Sequence, residues 1–235
     1  SLLFSAAILA AALFSEGITP SLRRQAVTLL DQPRRQAATL GAVGIYAPVS
    51  LRDGLHFDGD TEVTPLSAVG AGRIVCGRGQ HYAEGWVTPR LPAFFNLRRS
   101  EARGERLLVE AGAERVEVVN ALGAPILRLW LCDADGRLYE ARDLAPGEKR
   151  ALETPRPRGS APLSAAGRAR DYFGRGTPGW EVNAWSDALL SQGTAADPPD
   201  PGTYVAVLDG CPFLEDPLAY CRTKGSERSI VIGRY

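Results

Sequence analysis

The chain has 235 residues with 27 basic and 27 acidic side chains, so its formal net charge is zero and no charge excess recommends nucleic acid as a partner. Its 45% hydrophobic and 23% charged residues are those of a globular protein, long enough for one large or two small self-supporting cores. Lys149 and Lys224 are the only lysines and methionine is absent; the arginine skew reads as coding bias, and the missing methionine as a fragment or processed chain whose start lies upstream.

In chain order, Leu2 to Phe14 is an apolar run without a charge. At thirteen residues it falls short of the roughly 20 needed to span a bilayer, which suits the end of a transmembrane helix, the core of a signal peptide, or a buried helix. From Ser21 to Leu40, Ser21 stands as a helix cap, Leu22, Ala26, Leu29 and Leu30 follow at helical spacing, and Pro33 is a break. Arg23-Arg24 and Arg34-Arg35 beside an apolar segment suggest a membrane surface. Residues 1–40 are therefore predicted to be an apolar and basic helical segment, a truncated anchor or signal. Basic residues near a membrane span favour the cytoplasmic side, which leaves the topology open.

Beyond Gly41 the pattern turns to strands, and residues 41–153 are predicted to form an antiparallel β-sandwich. Val43–Tyr46, Glu62–Leu66, Arg73–Cys76, Pro92–Arg99 and Glu105–Glu110 precede a meander from Arg115 to Leu152. In that meander Val116 and Val118 alternate with Glu117. Leu127, Leu129 and Leu131 are expected on one face, Arg128, Trp130 and Cys132 on the other. Asp135-Gly136 suits a tight hairpin and Ala145-Pro146-Gly147 the next reversal. Residues 154–202 read as a linker with one short helix near 180–192, where Trp185, Leu189 and Leu190 share helical spacing. Residues 203–235 supply strands at Thr203–Leu208 and Ser229–Tyr235, completing the sandwich or forming a second small β domain.

Four residues suggest metal chemistry. His56, Asp58 and Asp60 alternate in HFDGD, a pattern that on a strand sets three ligands on one face, and His81 is a fourth candidate. The same letters also describe a polar turn, the preferred reading. Cys76 with His81 or His56 makes a conceivable nucleophilic dyad without a surrounding motif. Asp133-Ala134-Asp135-Gly136 opens like a calcium loop, but Arg137 and Leu144 stand where oxygen ligands are required. No elbow, phosphate loop, zinc-protease or dinucleotide motif is found, so no catalytic residue and no cofactor is assigned. Cys211 and Cys221 flank a loop of about ten residues that a disulfide would close in an oxidising compartment, and Cys76 and Cys132 are either a second pair or buried thiols. Trp86, Trp130, Trp180 and Trp185 line a ligand groove or belong to the core.

The phrases GIYAPVS at 44–50, LPAFFNLRRSEARGERLLVE at 91–110 with VEVVNALGAPILRLWLCDADGRLYEARDLAPGE at 116–148, and PGTYVAVLDGCPFLED at 201–216 resemble extracytoplasmic β domains of uncharacterised bacterial membrane-anchored proteins, some of which accompany ABC-type transport systems. The resemblance covers about residues 42–235, implies an envelope location and transfers no catalytic residue. The arginine-rich segment 21–36 departs from it. The expectation is a non-enzymatic β module, tethered to the membrane through its N-terminal segment and contacting other envelope or transporter proteins. A carbohydrate- or peptide-binding sandwich is the alternative, and a metal-dependent hydrolase the third.

Overall fold

The computed structural model describes residues 17–66, 72–112, 115–152 and 199–235. The apolar run Leu2–Phe14 and the helix expected near 180–192 lie outside them. The described residues are mainly β, with fourteen strands and no helix. None of them forms a helix long and apolar enough to cross a membrane.

The helix expected over Ser21–Leu40 is instead a pair of long strands, β1 (Ser21–Asp31) and β2 (Gln36–Tyr46). In β1 Leu22, Arg24, Ala26, Thr28 and Leu30, every second residue, are buried on one face, Val27 is buried in the cluster on the other, and Leu29 is 56% exposed. Leu22, Ala26 and Leu30 fit a four-residue spacing as well as a two-residue one. Arg24 and Thr28, polar residues on the inward face, hid the alternation. Pro33 sits in the turn between the strands, where the Arg35 amide donates to the Gln32 carbonyl at 3.1 Å and Arg35 takes a φ of 55°.

The remaining strands are β3 (Leu55–Asp58), β4 (Glu62–Pro65), β5 (Arg73–Cys76), β6 (Gly79–Glu84), β7 (Pro92–Ala102), β8 (Arg106–Ala111), β9 (Val116–Ala121), β10 (Ile126–Cys132), β11 (Leu138–Leu144), β12 (Lys149–Leu152), β13 (Thr203–Asp209) and β14 (Lys224–Arg234). They divide into two compact units, each assembled from separated segments. One holds the residues up to Gln25, Gly41–Arg99 and Leu214–Glu227; the other holds Ala26–Leu40, Ser100–Phe213 and Arg228–Tyr235. The eleven-residue strands β1, β2, β7 and β14 contribute part of their length to each.

In the first unit β14, β1, β2, β7 and β4 are neighbours in that order, and β3, β6 and β5 form a separate three-stranded sheet. Leu55, Phe57 and Tyr82 of the small sheet are buried with Phe95 of β7; Phe57 meets Tyr82 edge-on at 5.1 Å and lies 6.2 Å from Phe95.

In the second unit the order is β11, β10, β13, β14, β1, β2, β7, and β12, β9, β8 form the second sheet. One apolar cluster draws on both sheets: Leu107, Val116 and Val118 from one, Leu129, Leu131, Tyr204, Ala206 and Val231 from the other. The intervening residues of the large sheet, Trp130, Val205, Val207 and Ile230, make a cluster on its opposite face. The expected alternation of Leu129 and Leu131 against Trp130 is present. Ile126 rather than Leu127 enters the core, because β10 shifts register against β13 between Ile126 and Arg128. The Asp135-Gly136 hairpin forms, with the Gly136 amide donating to the Asp133 carbonyl at 3.0 Å. The Asp133 carboxylate accepts the Arg137 amide at 2.7 Å and the Tyr139 hydroxyl at 3.2 Å.

Asn120, fully buried at the end of β9, joins three segments of this unit. Its amide nitrogen donates to the carbonyls of Ala124 (2.9 Å) and Leu144 (3.1 Å), and its side-chain oxygen accepts the Leu122 amide at 3.2 Å. Asn120→Ala removes all three bonds and is expected to destabilise the protein by about 3 kcal/mol, since each orphaned buried backbone group costs about 1–3 kcal/mol. Urea unfolding of the full chain checks this: an unchanged midpoint would mean that water replaces the amide.

Candidate functional site

The three-stranded sheet of the first unit carries the densest polar chemistry. Its register pairs Leu55 with Tyr82, His56 with His81 and Phe57 with Gln80, while β5 sets Ile74 opposite Tyr82, Val75 opposite His81 and Cys76 opposite Gln80. Directly opposed residues share a face, so Leu55, Phe57 and Tyr82 fill the buried side and His56, His81 and Val75 form a row across the outer one. The imidazole rings stack, with centroids 4.4 Å apart and planes 8° from parallel.

Both rings direct Nε2 at the loop that precedes β3. His56 Nε2 lies 3.0 Å from the Asp53 carbonyl oxygen and 3.1 Å from its Oδ2. His81 Nε2 lies 3.0 Å from the same carbonyl and 3.8 Å from Oδ1. Asp53, His56 and His81 each offer one ligand atom, and these atoms all fall within 4.8 Å of one another.

The loop is held in place by its neighbours. Gly54 has a φ of +59° and runs so close to β6 that a Cβ there would lie 2.2 Å from the Tyr82 carbonyl oxygen. The Tyr220 hydroxyl donates to the Gly54 carbonyl at 2.7 Å, and the Tyr220 ring meets His56 edge-on at 5.5 Å. Burial, with the nearby Cys221 and Asp53, pushes the Tyr220 hydroxyl up to about 12, so it stays a donor at neutral pH. The His56 amide donates to the Pro217 carbonyl at 3.0 Å.

Of the four candidate metal ligands, His56 and His81 come together, while Asp58 and Asp60 do not join them. β3 ends at Asp58, Asp60 lies in the following turn, and Arg99 pairs with both aspartates, Nη1 at 2.6 Å from Asp58 and Nη2 at 3.3 Å from Asp60. Asp53 takes the place expected of them. Its signal in the sequence, an aspartate three residues before a histidine, is common in turns and gives no hint that β6 brings a second histidine to the same spot.

No disulfide joins the four cysteines, so the bridge expected between Cys211 and Cys221 is absent, as is one between Cys76 and Cys132. Cys211 is buried and its thiol donates to the Arg228 carbonyl at 3.2 Å. Burial, with Asp216 nearby, raises the Cys221 thiol. Cys76 is exposed, and its pairing with Gln80 gives it the face opposite the histidines, so the Cys76–histidine dyad does not form.

Trp130 is a core residue, with Arg128 5.4 Å above its ring. Trp86 is half-buried; its indole nitrogen donates to the Arg73 carbonyl at 3.2 Å, and with Leu51, Tyr82, Val87 and Pro89 it lines a groove of about 290 Å³. Trp180 and Trp185 lie outside the described residues. No protein-family model and no curated protein matches the chain.

Glu215 belongs to the Arg99 group, accepting the Asp58 amide at 2.6 Å. Burial raises its carboxyl pKa, and the Asp58 amide pulls it partly back. A carboxyl raised by folding binds its proton more tightly in the folded state. Its contribution to stability is therefore greatest below the unfolded value of about 4.3 and is lost as pH rises through the folded one. Glu215→Gln should flatten that decline, read as unfolding midpoints across the range; an identical slope in the variant would assign the decline to other groups.

Proposed function

We propose that this chain is a non-enzymatic interaction or accessory module of a bacterial envelope system. In this reading it is built as a β-sandwich and tethered through its N-terminal segment, with the β units on the outer side of the membrane. The observation that carries the interaction role is β5, an edge strand among the described residues with all four positions exposed. Ile74 and Val75 are 42% and 47% exposed, on a strand whose outer side has no described partner. An apolar edge of this kind is a template for another chain, which adds a strand through main-chain hydrogen bonds and reads side chains through alternate pockets. Among the described residues, seven of the nine exposed large hydrophobics (Ile18, Val49, Leu66, Ile74, Val75, Leu91 and Tyr220) belong to the first unit, against Leu29 and Leu108 in the second, which supports that unit as the partner-facing one.

The envelope placement rests on the resemblance over residues 42–235 and on the apolar run Leu2–Phe14. A second reading, binding of carbohydrate or peptide, is favoured by the groove beside Tyr82 and Trp86, whose aromatic lining suits either ligand although its volume is at the low end of such sites.

Cys76 supplies the test. In a Cys221→Ser background it is the exposed thiol, because Cys132 and Cys211 are buried. In cells with an intact inner membrane and an opened outer layer, a membrane-impermeant maleimide should modify it, and a photoreactive maleimide at the same thiol should yield one discrete adduct that Ile74→Lys abolishes. Labelling only after lysis would place the β units in the cytoplasm, and adducts indifferent to the edge lysine would remove β5 as the docking strand.

A further inference from the structure

We infer that Asp53, His56 and His81 together bind a divalent first-row transition metal, a role separate from the docking of a partner strand. The chain has two histidines in 235 residues, 25 positions apart, and the β3–β6 register sets them directly opposite each other on the exposed face. Stacking turns both Nε2 atoms the same way, each 3.0 Å from the one Asp53 carbonyl. A tetrahedral ion bound at about 2.0–2.2 Å needs donor atoms about 3.3 Å apart. The donors here lie within 4.8 Å of one another, so side-chain movements below about 1 Å close them onto one ion.

The donor set decides the class of metal. Two imidazole nitrogens and a carboxylate suit zinc, copper, nickel or cobalt, whereas calcium and magnesium take oxygen ligands. The side chains of Asp53, His56 and His81 are 56%, 47% and 33% exposed, so the ion keeps its outward positions for water or an incoming ligand. Three separate supports fix the arrangement before any ion arrives: Gly54 packed on β6, the Tyr220 hydroxyl on the Gly54 carbonyl, and the Pro217 carbonyl on the His56 amide. This preorganisation distinguishes the trio from histidines that happen to share a surface.

The competing account is that the Nε2 contacts merely fasten the Asp53 loop to the sheet. Titration of the full chain, stripped with EDTA, with Co(II) and then Zn(II) separates the two. The metal reading expects one equivalent of cobalt, a visible ligand-field band without thiolate charge transfer, and displacement by zinc. His81→Gln should weaken binding by about a hundredfold and Asp53→Asn by about tenfold. Near-UV circular dichroism of both variants should match the wild type; Asp53, on an exposed loop, keeps the test valid if the histidine variant is poorly folded. Absence of a saturable equivalent, a thiolate band lost in Cys76→Ser, or undiminished affinity in both folded variants would each overturn the assignment.

Discussion

Arg24 puts a cation on the buried face of a strand, and the first unit is arranged to answer it. The residue is 9% exposed. Its Nη1 donates to the Leu214 carbonyl at 2.6 Å, while Nε and Nη2 both reach Glu227 Oε1, at 3.1 and 2.6 Å. A buried charge stripped of such partners costs several kcal/mol, about 3–5 when one member of a pair is removed, so the segment from Leu214 to Glu227 is tied to β1 at both ends. That segment carries Pro217 and Tyr220, which hold the His56 amide and the Gly54 carbonyl. The geometry of the histidine face thus depends, two contacts removed, on a salt bridge made by β1.

The same residue explains why β1 does not show itself as a strand in the sequence. Strand alternation is legible where the inward set is apolar throughout, as with Val116 and Val118 or Leu129 and Leu131, and there the sequence pattern and the structure agree. At β1 the inward set includes Arg24 and Thr28. Thr28 is satisfied by the Thr39 hydroxyl at 3.0 Å and Arg24 by residues about 190 and 203 positions away. Hydropathy counts both as outward and cannot see distant partners, so the remaining Leu22, Ala26 and Leu30 look helical. The shift at Ile126 is a smaller case of the same kind: a one-residue slip exchanges the faces of neighbours that composition treats alike.

Polar side chains also fix register in the second unit. Gln32, in the β1–β2 turn, behaves as a one-residue strand: its amide nitrogen donates to the Leu107 carbonyl at 3.1 Å and its oxygen accepts the Leu107 amide at 2.6 Å. The same oxygen accepts the Tyr204 hydroxyl at 2.9 Å, giving the largest fully buried side chain among the described residues its partner. Burial raises the Tyr204 hydroxyl pKa, so it remains a donor. Apolar contacts hold this core together, but many packings would bury the same area. Hydrogen bonds of defined direction, from Gln32 here and Asn120 at the end of β9, select one of them.

The candidate site shows how far a local pattern reaches. Alternation correctly marks His56 as outward-facing on a strand, but it sets the next two aspartates on the same face only if the strand continues; it stops at Asp58, and Asp60 lies in the turn that the same letters describe. Arg99 then claims Asp58 and Asp60, an attraction that no spacing rule announces because Arg99 lies on β7. His81 arrives through pairing across 25 residues, and Asp53 through a loop whose path Gly54 alone permits. Each ligand therefore comes from a different piece of chain, and only the pairing register brings them together. A shift of one residue between β3 and β6 would send one histidine to the buried face beside Phe57 and Tyr82. The aromatic packing that opposes this slip is thus also what keeps the two imidazoles side by side.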